Sequence, residues 1–178
     1  TMSPVTLLII LLVLSSVAYY VGRRRAFAVV GGATEIRNLH SRPTYYGTMT
    51  AIWCGIPALI VFAFWLAFES SIVTQLVVSD LPEKIRNLPA ARLNLVVNDI
   101  KNLVSGNIVS GEIDPTMQAA ADHYRNLKAT SNAALAVISI SVAIIGLLIV
   151  RAKIKPELRA RNIVEQVVKI VLIACSTI

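Results

Sequence analysis

Charged residues are scarce in this sequence. They make up 15% of its 178 residues, whereas hydrophobic residues make up 56% and the mean hydropathy is +0.69. A soluble domain carries about 25% charged residues. The shortage is concentrated in three or four apolar blocks, which argues against an ordinary soluble domain and predicts an all-α membrane protein.

The residue patterns that mark enzymes are also missing. There are two cysteines, Cys54 and Cys175, and both lie in apolar runs, so they are interpreted as small buried hydrophobic residues. No Cys and His spacing indicates zinc, and the two histidines, His40 and His123, are far apart. Gly31-Gly32 lacks the spacing of a nucleotide-binding loop and predicts a turn. Because no nucleophile motif is present either, we expect no enzymatic activity, no metal and no cofactor in this chain.

Acidic residues are fewer than basic ones. The 10 Asp and Glu against 17 Lys and Arg leave a formal net charge of +7. The basic residues cluster beside the apolar blocks, which fits contact with anionic lipid and a role in topology. Because no basic stripe alternates with exposed aromatic residues, the sequence predicts membrane lipid and not nucleic acid as a partner.

The apolar blocks divide the chain into seven segments, since about 20 residues span a bilayer as a helix. Three transmembrane helices are predicted at 4–22, 48–68 and 132–150, and the start of a fourth at 163–178. The segments between them are 23–47, 69–131 and 151–162. The chain stops within the fourth apolar run, so we expect it to be the N-terminal part of a longer protein.

The basic residues predict which segments face the cytoplasm. No basic residue precedes the first span, whereas Arg23, Arg24 and Arg25 follow it directly. Segment 151–162 is also basic, and segment 69–131 has six basic and seven acidic residues. The topology residues are Arg23, Arg24, Arg25, Arg151, Lys153 and Lys155. The positive-inside rule places segments 23–47 and 151–162 in the cytoplasm, and the N-terminus and segment 69–131 outside the cell.

Segment 69–131 is predicted to be a helical hairpin. One apolar stripe recurs at helical spacing, and Ser105-Gly106-Asn107 ends its helix. A turn through Gly111 leads to Asp114-Pro115, which opens a second helix that meets no breaker before Val150. The first stripe consists of Leu93, Val96, Val97, Ile100, Leu103 and Val104, and the second of Met117, Ala120, Ala121, Tyr124 and Leu127. We expect the two stripes to pack together.

Several residues within the spans indicate helix packing. Pro57 removes a backbone hydrogen bond and should bend the second span, either to flex during transport or to shape the helix for packing. Trp65 suits an interface, and Trp53 lies deeper, where it could pack on a neighbouring helix. The small residues suited to close helix contact in the third span are Ser139, Ser141 and Gly146. In the last apolar run, Glu165 and Lys169 are one turn apart and could pair.

The stretch LHSRPTYYGTMTAIWCGIPALIVFAFW, residues 39–65, combines a polar lead, an interfacial tyrosine pair and an apolar span with its own proline. It resembles the N-terminal segment of bacterial phosphate ABC transporter permeases of the PstC type. The residues that carry the resemblance are Leu39, His40, Ser41, Pro43, Tyr45, Tyr46, Gly47, Trp53, Gly55 and Pro57. The order of the segments is similar too, whereas Arg42 and Cys54 depart from the family pattern without changing its spacing.

The resemblance implies an accessory membrane segment of a permease subunit in an importer of inorganic phosphate. It also implies the bacterial inner membrane, with a second permease, ATP-binding subunits that hydrolyse ATP, and a periplasmic phosphate-binding protein as partners. Residues 163–178 would then open the permease core, the pathway residues would lie after residue 178, and the hairpin would be a docking surface. An alternative is a transmembrane sensor with a helical periplasmic ligand domain.

Overall fold

The computed structural model describes residues 3–32, 37, 39–107 and 114–177, and all regular secondary structure in these ranges is helical. The helices are α1 (Pro4–Val29), α2 (Pro43–Ser79), α3 (Glu83–Arg86), α4 (Ala90–Ser105), α5 (Pro115–Lys153) and α6 (Ala160–Ser176). The predicted all-α class is confirmed. The turn predicted through Gly111 lies outside the described residues.

Three helices, α1, α2 and α5, are long and apolar enough to cross a membrane. Only 22%, 17% and 28% of the residues in their most apolar windows are buried within the protein. Most of these apolar side chains therefore face outward, where a soluble protein would carry polar residues. The predicted number of complete spans agrees with these three helices.

The helices begin and end at residues whose chemistry explains the boundary. The hydroxyl of Ser3 accepts a hydrogen bond from the amide of Thr6 at 3.1 Å and so caps α1. Pro43 and Pro115 occupy the first positions of α2 and α5, where the missing proline N–H costs nothing. Gly106 ends α4 with a φ of 75°, the left-handed cap expected of Ser105-Gly106-Asn107.

Two helices extend well beyond the predicted spans. Helix α1 continues through the arginine triplet to Val29, and the chain then turns at Gly31 and Gly32, whose φ angles are 84° and 132°. Helix α2 starts at Pro43 and runs to Ser79, where the sequence predicted a span of 48–68. Arginine and alanine in the extension of α1 are good helix formers, and no breaker lies between residues 68 and 79 of α2, so both helices continue past their apolar stretches.

The chain forms two compact units, one built from Ala63–Leu135 and the other from Ser3–Phe62 with Ala136–Ile178. We call the first the hairpin unit and the second the clasp unit. Helices α2 and α5 contribute residues to both.

The core of the hairpin unit joins three helices rather than the two stripes expected from the sequence. Its buried residues come from the end of α2 and the turn after it, from α4 and from the start of α5: Val73, Val77, Leu81, Ile100, Ala120, Ala121 and Tyr124. All other members of the predicted stripes except Val97 pack around this core as half-buried side chains. The unexpected contribution is the last part of α2, which the sequence predicts as part of segment 69–131 between two spans. Its apolar residues recur at helical spacing, and that signal could have revealed it.

Polar contacts also hold the hairpin unit. The Nη2 of Arg125 on α5 donates to the carbonyl of Leu103 on α4 at 3.3 Å. The indole Nε1 of Trp65 on α2 donates to the hydroxyl of Ser131 on α5 at 2.8 Å. These bonds join α4 to α5 and α2 to α5 in addition to the apolar contacts.

We expect Trp65→Phe to lower the free energy of unfolding by about 0.5–1.5 kcal/mol, because the hydroxyl of Ser131 loses its donor. Thermal unfolding in detergent, followed by circular dichroism, measures the loss. The matched control is Trp53→Phe, since the Trp53 side chain lies at a surface position, 47% exposed. Equal losses in the two variants would contradict the role assigned to the Trp65 bond.

Candidate functional site

The clasp unit brings the resemblance-bearing residues 39–47, which we call the motif segment, against residues 154–159, the α5–α6 link. The amide of His40 donates to the carbonyl of Pro156 at 3.1 Å. The amide of Arg161, just past the link, donates to the hydroxyl of Ser41 at 3.3 Å. The motif segment therefore makes reciprocal hydrogen bonds with a part of the chain more than 110 residues away.

Tyr46 is the centre of this contact. Its side chain is fully buried, and its hydroxyl donates to the carbonyl of Leu158 at 2.8 Å, with the carbonyl of Pro156 farther away at 3.4 Å. The link lies outside α5 and α6, so its carbonyls need partners other than those of a regular helix. The phenol supplies such a partner from within the core.

An apolar core surrounds the Tyr46 ring. Its buried members come from α1, α2, α5, the link and α6: Ala26, Tyr46, Met49, Val150, Ile154, Ala160 and Val164. Leu39 and Tyr45 of the motif segment pack against it as half-buried residues. The motif segment thus contributes to one core with four helices of the clasp unit.

The motif glycines allow α2 to approach α1 closely. A Cβ added at Gly47 would lie 2.8 Å from the ring of Tyr19 and 2.9 Å from its carbonyl oxygen. A Cβ at Gly55 would lie 2.6 Å from the hydroxyl oxygen of Ser15. These distances are shorter than real side chains tolerate, so glycine at both positions serves helix contact, as small residues do in membrane helices.

Trp53 and Pro57 occupy the middle part of α2. The indole of Trp53 is 47% exposed, and the backbone of this residue, rather than its ring, faces α5, since a Cβ on Gly146 would overlap the Trp53 carbonyl oxygen. Helix α2 continues through Pro57. Gly146 has the packing role predicted for it, and Ser139 is fully buried. Ser141 is exposed, so for that residue the close helix contact stays a prediction.

The six topology residues all belong to the clasp unit and are all exposed. Arg23, Arg24 and Arg25 lie on α1, Arg151 and Lys153 lie in the last turn of α5, and Lys155 lies in the link. The guanidinium of Arg23 lies 5.9 Å from the centre of the Phe27 ring. These positive charges surround the ends of α1 and α5 that adjoin the motif segment's core.

Glu165 pairs with a different residue from the one expected. Its Oε1 accepts a hydrogen bond from the Nε of Arg161 at 2.6 Å, four residues before it, so the predicted pairing with Lys169 is wrong. The hydrogen bond and the charge of Glu165 raise the pKa of the Arg161 guanidinium. Because Arg161 also bonds Ser41 through its amide, this ion pair begins α6 directly beside the motif segment.

The two histidines lie in different units. His40 is exposed and uses its backbone amide in the clasp contact. His123, which the sequence leaves isolated, places its Nε2 3.0 Å from the Oδ2 of Asp80 in the hairpin unit. In the part of the chain that the structure describes, no group of three His, Cys, Asp or Glu side chains could hold a metal ion.

The motif segment connects the start of α2 to the link between α5 and α6, and this contact fixes where α6 begins.

The two sides of this contact differ in how well the sequence marks them. The motif residues were recognisable as a set, but their partners in the link have no motif of their own. Within the link, the buried Ile154 and the proline at position 156 mark it as more than a basic loop.

A family described as "Phosphate ATP-binding cassette transporter" matches residues 8–178, nearly the whole chain. No curated protein and no solved structure gives a significant match. The family match and the three membrane-spanning helices identify a multi-pass membrane protein of a transport system that includes partner subunits. The chain belongs to the phosphate ATP-binding cassette transporter family.

Proposed function

We propose that this chain is the N-terminal membrane segment of a permease subunit that imports inorganic phosphate across the bacterial inner membrane. The family match over residues 8–178 carries the proposal. The outward-facing apolar residues of α1, α2 and α5 support it, because a permease segment must present such surfaces to lipid or to neighbouring helices. The chain itself holds no cofactor, and separate ATP-binding subunits hydrolyse ATP.

In this proposal the chain serves assembly rather than forming the phosphate pathway. The motif segment fixes the link and the start of α6. Ala160 and Val164 of this helix are buried, whereas its apolar residues Ile170, Leu172 and Ile173 are more than 60% exposed. An apolar surface of this kind at the end of the described chain needs lipid or another helix against it. We assign that surface to the permease core, so that the clasp positions the first core helix.

The hairpin unit is the proposed periplasmic surface. Its segment 69–131 is nearly neutral in charge, whereas the clasp unit carries the exposed arginines and lysines at the ends of α1 and α5. We assign it to docking with the phosphate-binding protein or with the second permease. In the full-length transporter, deletion of residues 79–130 is expected to reduce uptake of radiolabelled phosphate and co-purification of the partner subunits. Unchanged uptake and unchanged co-purification would contradict the docking role.

Sidedness is tested by cysteine labelling. In a variant carrying Cys54→Ala and Cys175→Ala, we expect Asn98→Cys to react with a membrane-impermeant maleimide in spheroplasts, because α4 lies on the periplasmic side in this topology. Lys155→Cys in the link is expected to react only after the membrane is permeabilised. Both positions are exposed, so accessibility within the protein does not limit either reaction. The reverse labelling pattern would contradict the proposed topology.

A further inference from the structure

A groove in the clasp unit is lined by three arginines that are not among the hydrogen-bond partners of the motif segment. Arg24 and Arg25 of α1 and Arg151 of α5 line it together with Val21 and Ala28, and its volume is about 310 Å³. Arg24 and Arg25 follow the apolar stretch of α1, and Arg151 follows the apolar stretch of α5. Two spans therefore bring arginines from the ends of their apolar stretches to one place.

The groove has a strong excess of positive charge. Guanidinium groups stay protonated at every physiological pH. Among the described residues, the ion pairs with N–O distances within 4.0 Å involve Arg86, His123, Arg125 and Arg161, so no described carboxylate neutralises the three groove arginines. Arg23 differs from them, because it lies against the Phe27 ring and does not line the groove.

The chemistry of the lining indicates a phosphate group attached to an apolar body. The planar guanidinium donates two parallel hydrogen bonds to phosphate oxygens, a geometry that a lysine ammonium does not match. Val21 lies at the end of the apolar stretch and Ala28 lies one turn past the arginines, so the groove also has apolar walls. A hydrated inorganic phosphate gains nothing from such walls, whereas the glycerol and the first methylenes of a lipid do.

We propose that this groove binds the phosphodiester of an anionic phospholipid, with its acyl chains along the apolar stretches of α1 and α5. Arg24, Arg25 and Arg151 hold the headgroup from two helices at once. The bound lipid then screens three like charges and links α1 to α5. The proposal requires membrane insertion but is independent of the transported substrate.

The test uses the full-length protein in detergent, with phosphatidylglycerol as the probe and native mass spectrometry as the readout of lipid retention. The double variant Arg24→Gln, Arg151→Gln is expected to lower the affinity for phosphatidylglycerol roughly thirtyfold, the effect of removing two arginines near a lipid surface. The matched control, Arg23→Gln with Lys153→Gln, removes the same charge from the same helix ends outside the groove. It is expected to change the affinity less than about threefold, since long-range attraction is screened within a Debye length.

Two outcomes would overturn the proposal. Equal losses in the two double variants would mean diffuse attraction to lipid and no site. Displacement of phosphatidylglycerol by inorganic phosphate at the groove would mean a site for the free ion. If circular dichroism shows that the groove double variant does not fold, the single variants Arg24→Gln and Arg151→Gln are measured instead, each with an expected loss of roughly fivefold. Single losses no larger than that of Arg23→Gln would also overturn it.

Discussion

Tyr46→Ala is expected to lower the free energy of unfolding by about 3–5 kcal/mol, the range for removing a large buried ring. The Tyr46 side chain is fully buried between α1, α2, α5 and α6, so its removal leaves a cavity that four helices line. The hydroxyl that bonds the carbonyl of Leu158 at 2.8 Å is lost as well. Thermal unfolding of the full-length protein in detergent, followed by circular dichroism, measures the effect.

The same substitution is expected to reduce phosphate uptake more than protein abundance explains, because the link is no longer held to the motif segment. Tyr46→Phe separates the two effects. It keeps the ring and removes only the hydroxyl, so we expect a smaller loss of stability, about 0.5–1.5 kcal/mol, with the link loosened.

The control for Tyr46→Ala is Tyr20→Ala, a tyrosine of α1 that is 62% exposed. It removes the same atoms from a surface position and is expected to change stability little. If Tyr20→Ala proved as destabilising as Tyr46→Ala, the buried contact with the link could not be the cause.

The Tyr46 contact shows where sequence reasoning reaches its limit in this chain. Composition and hydropathy predicted the three long apolar helices, because each is a local property of about 20 residues. The motif residues were identified as a set by resemblance. Their partners were not, because the contact with Pro156 and Leu158 joins positions about 110 residues apart and uses backbone carbonyls, which every residue has.

The helix bounds show a second limit. The sequence divided α2 at residue 68, where charge first appears, yet the helix runs to Ser79 and its end supplies Val73 and Val77 to the hairpin unit's core. Hydropathy indicates where a lipid-facing surface ends and says little about where a helix ends. The stop signals are local, such as Gly106 with its positive φ, and none stands between residues 68 and 79.

Glu165 shows a third limit. The spacing of four residues fits both Arg161 before it and Lys169 after it, so helical periodicity alone leaves two partners. In the structure Glu165 pairs with Arg161, whose backbone amide also donates to the hydroxyl of Ser41 at the start of α6.

Gly146→Val is expected to lower the free energy of unfolding by roughly 3 kcal/mol, the upper end of the usual cost of overpacking. A Cβ at this position would overlap the carbonyl oxygen of Trp53, and the Cα of Cys54 would lie 3.5 Å away. Main-chain atoms cannot rotate aside as a side chain can, so α5 must move away from α2. Thermal unfolding of the full-length protein in detergent measures the loss.

The matched control for Gly146→Val is Ser141→Val on the same helix. Ser141 is exposed, so the variant introduces the same branched side chain without a neighbouring backbone. We expect only a small change, because valine costs a helix a few tenths of a kcal/mol relative to serine at most. Gly146→Ala should already lose stability relative to this control, since the overlap involves the Cβ itself. If alanine at position 146 stabilised the protein, as it does at exposed helical glycines, the close approach of α2 and α5 would be refuted, and with it the packing that holds the motif segment's helix in place.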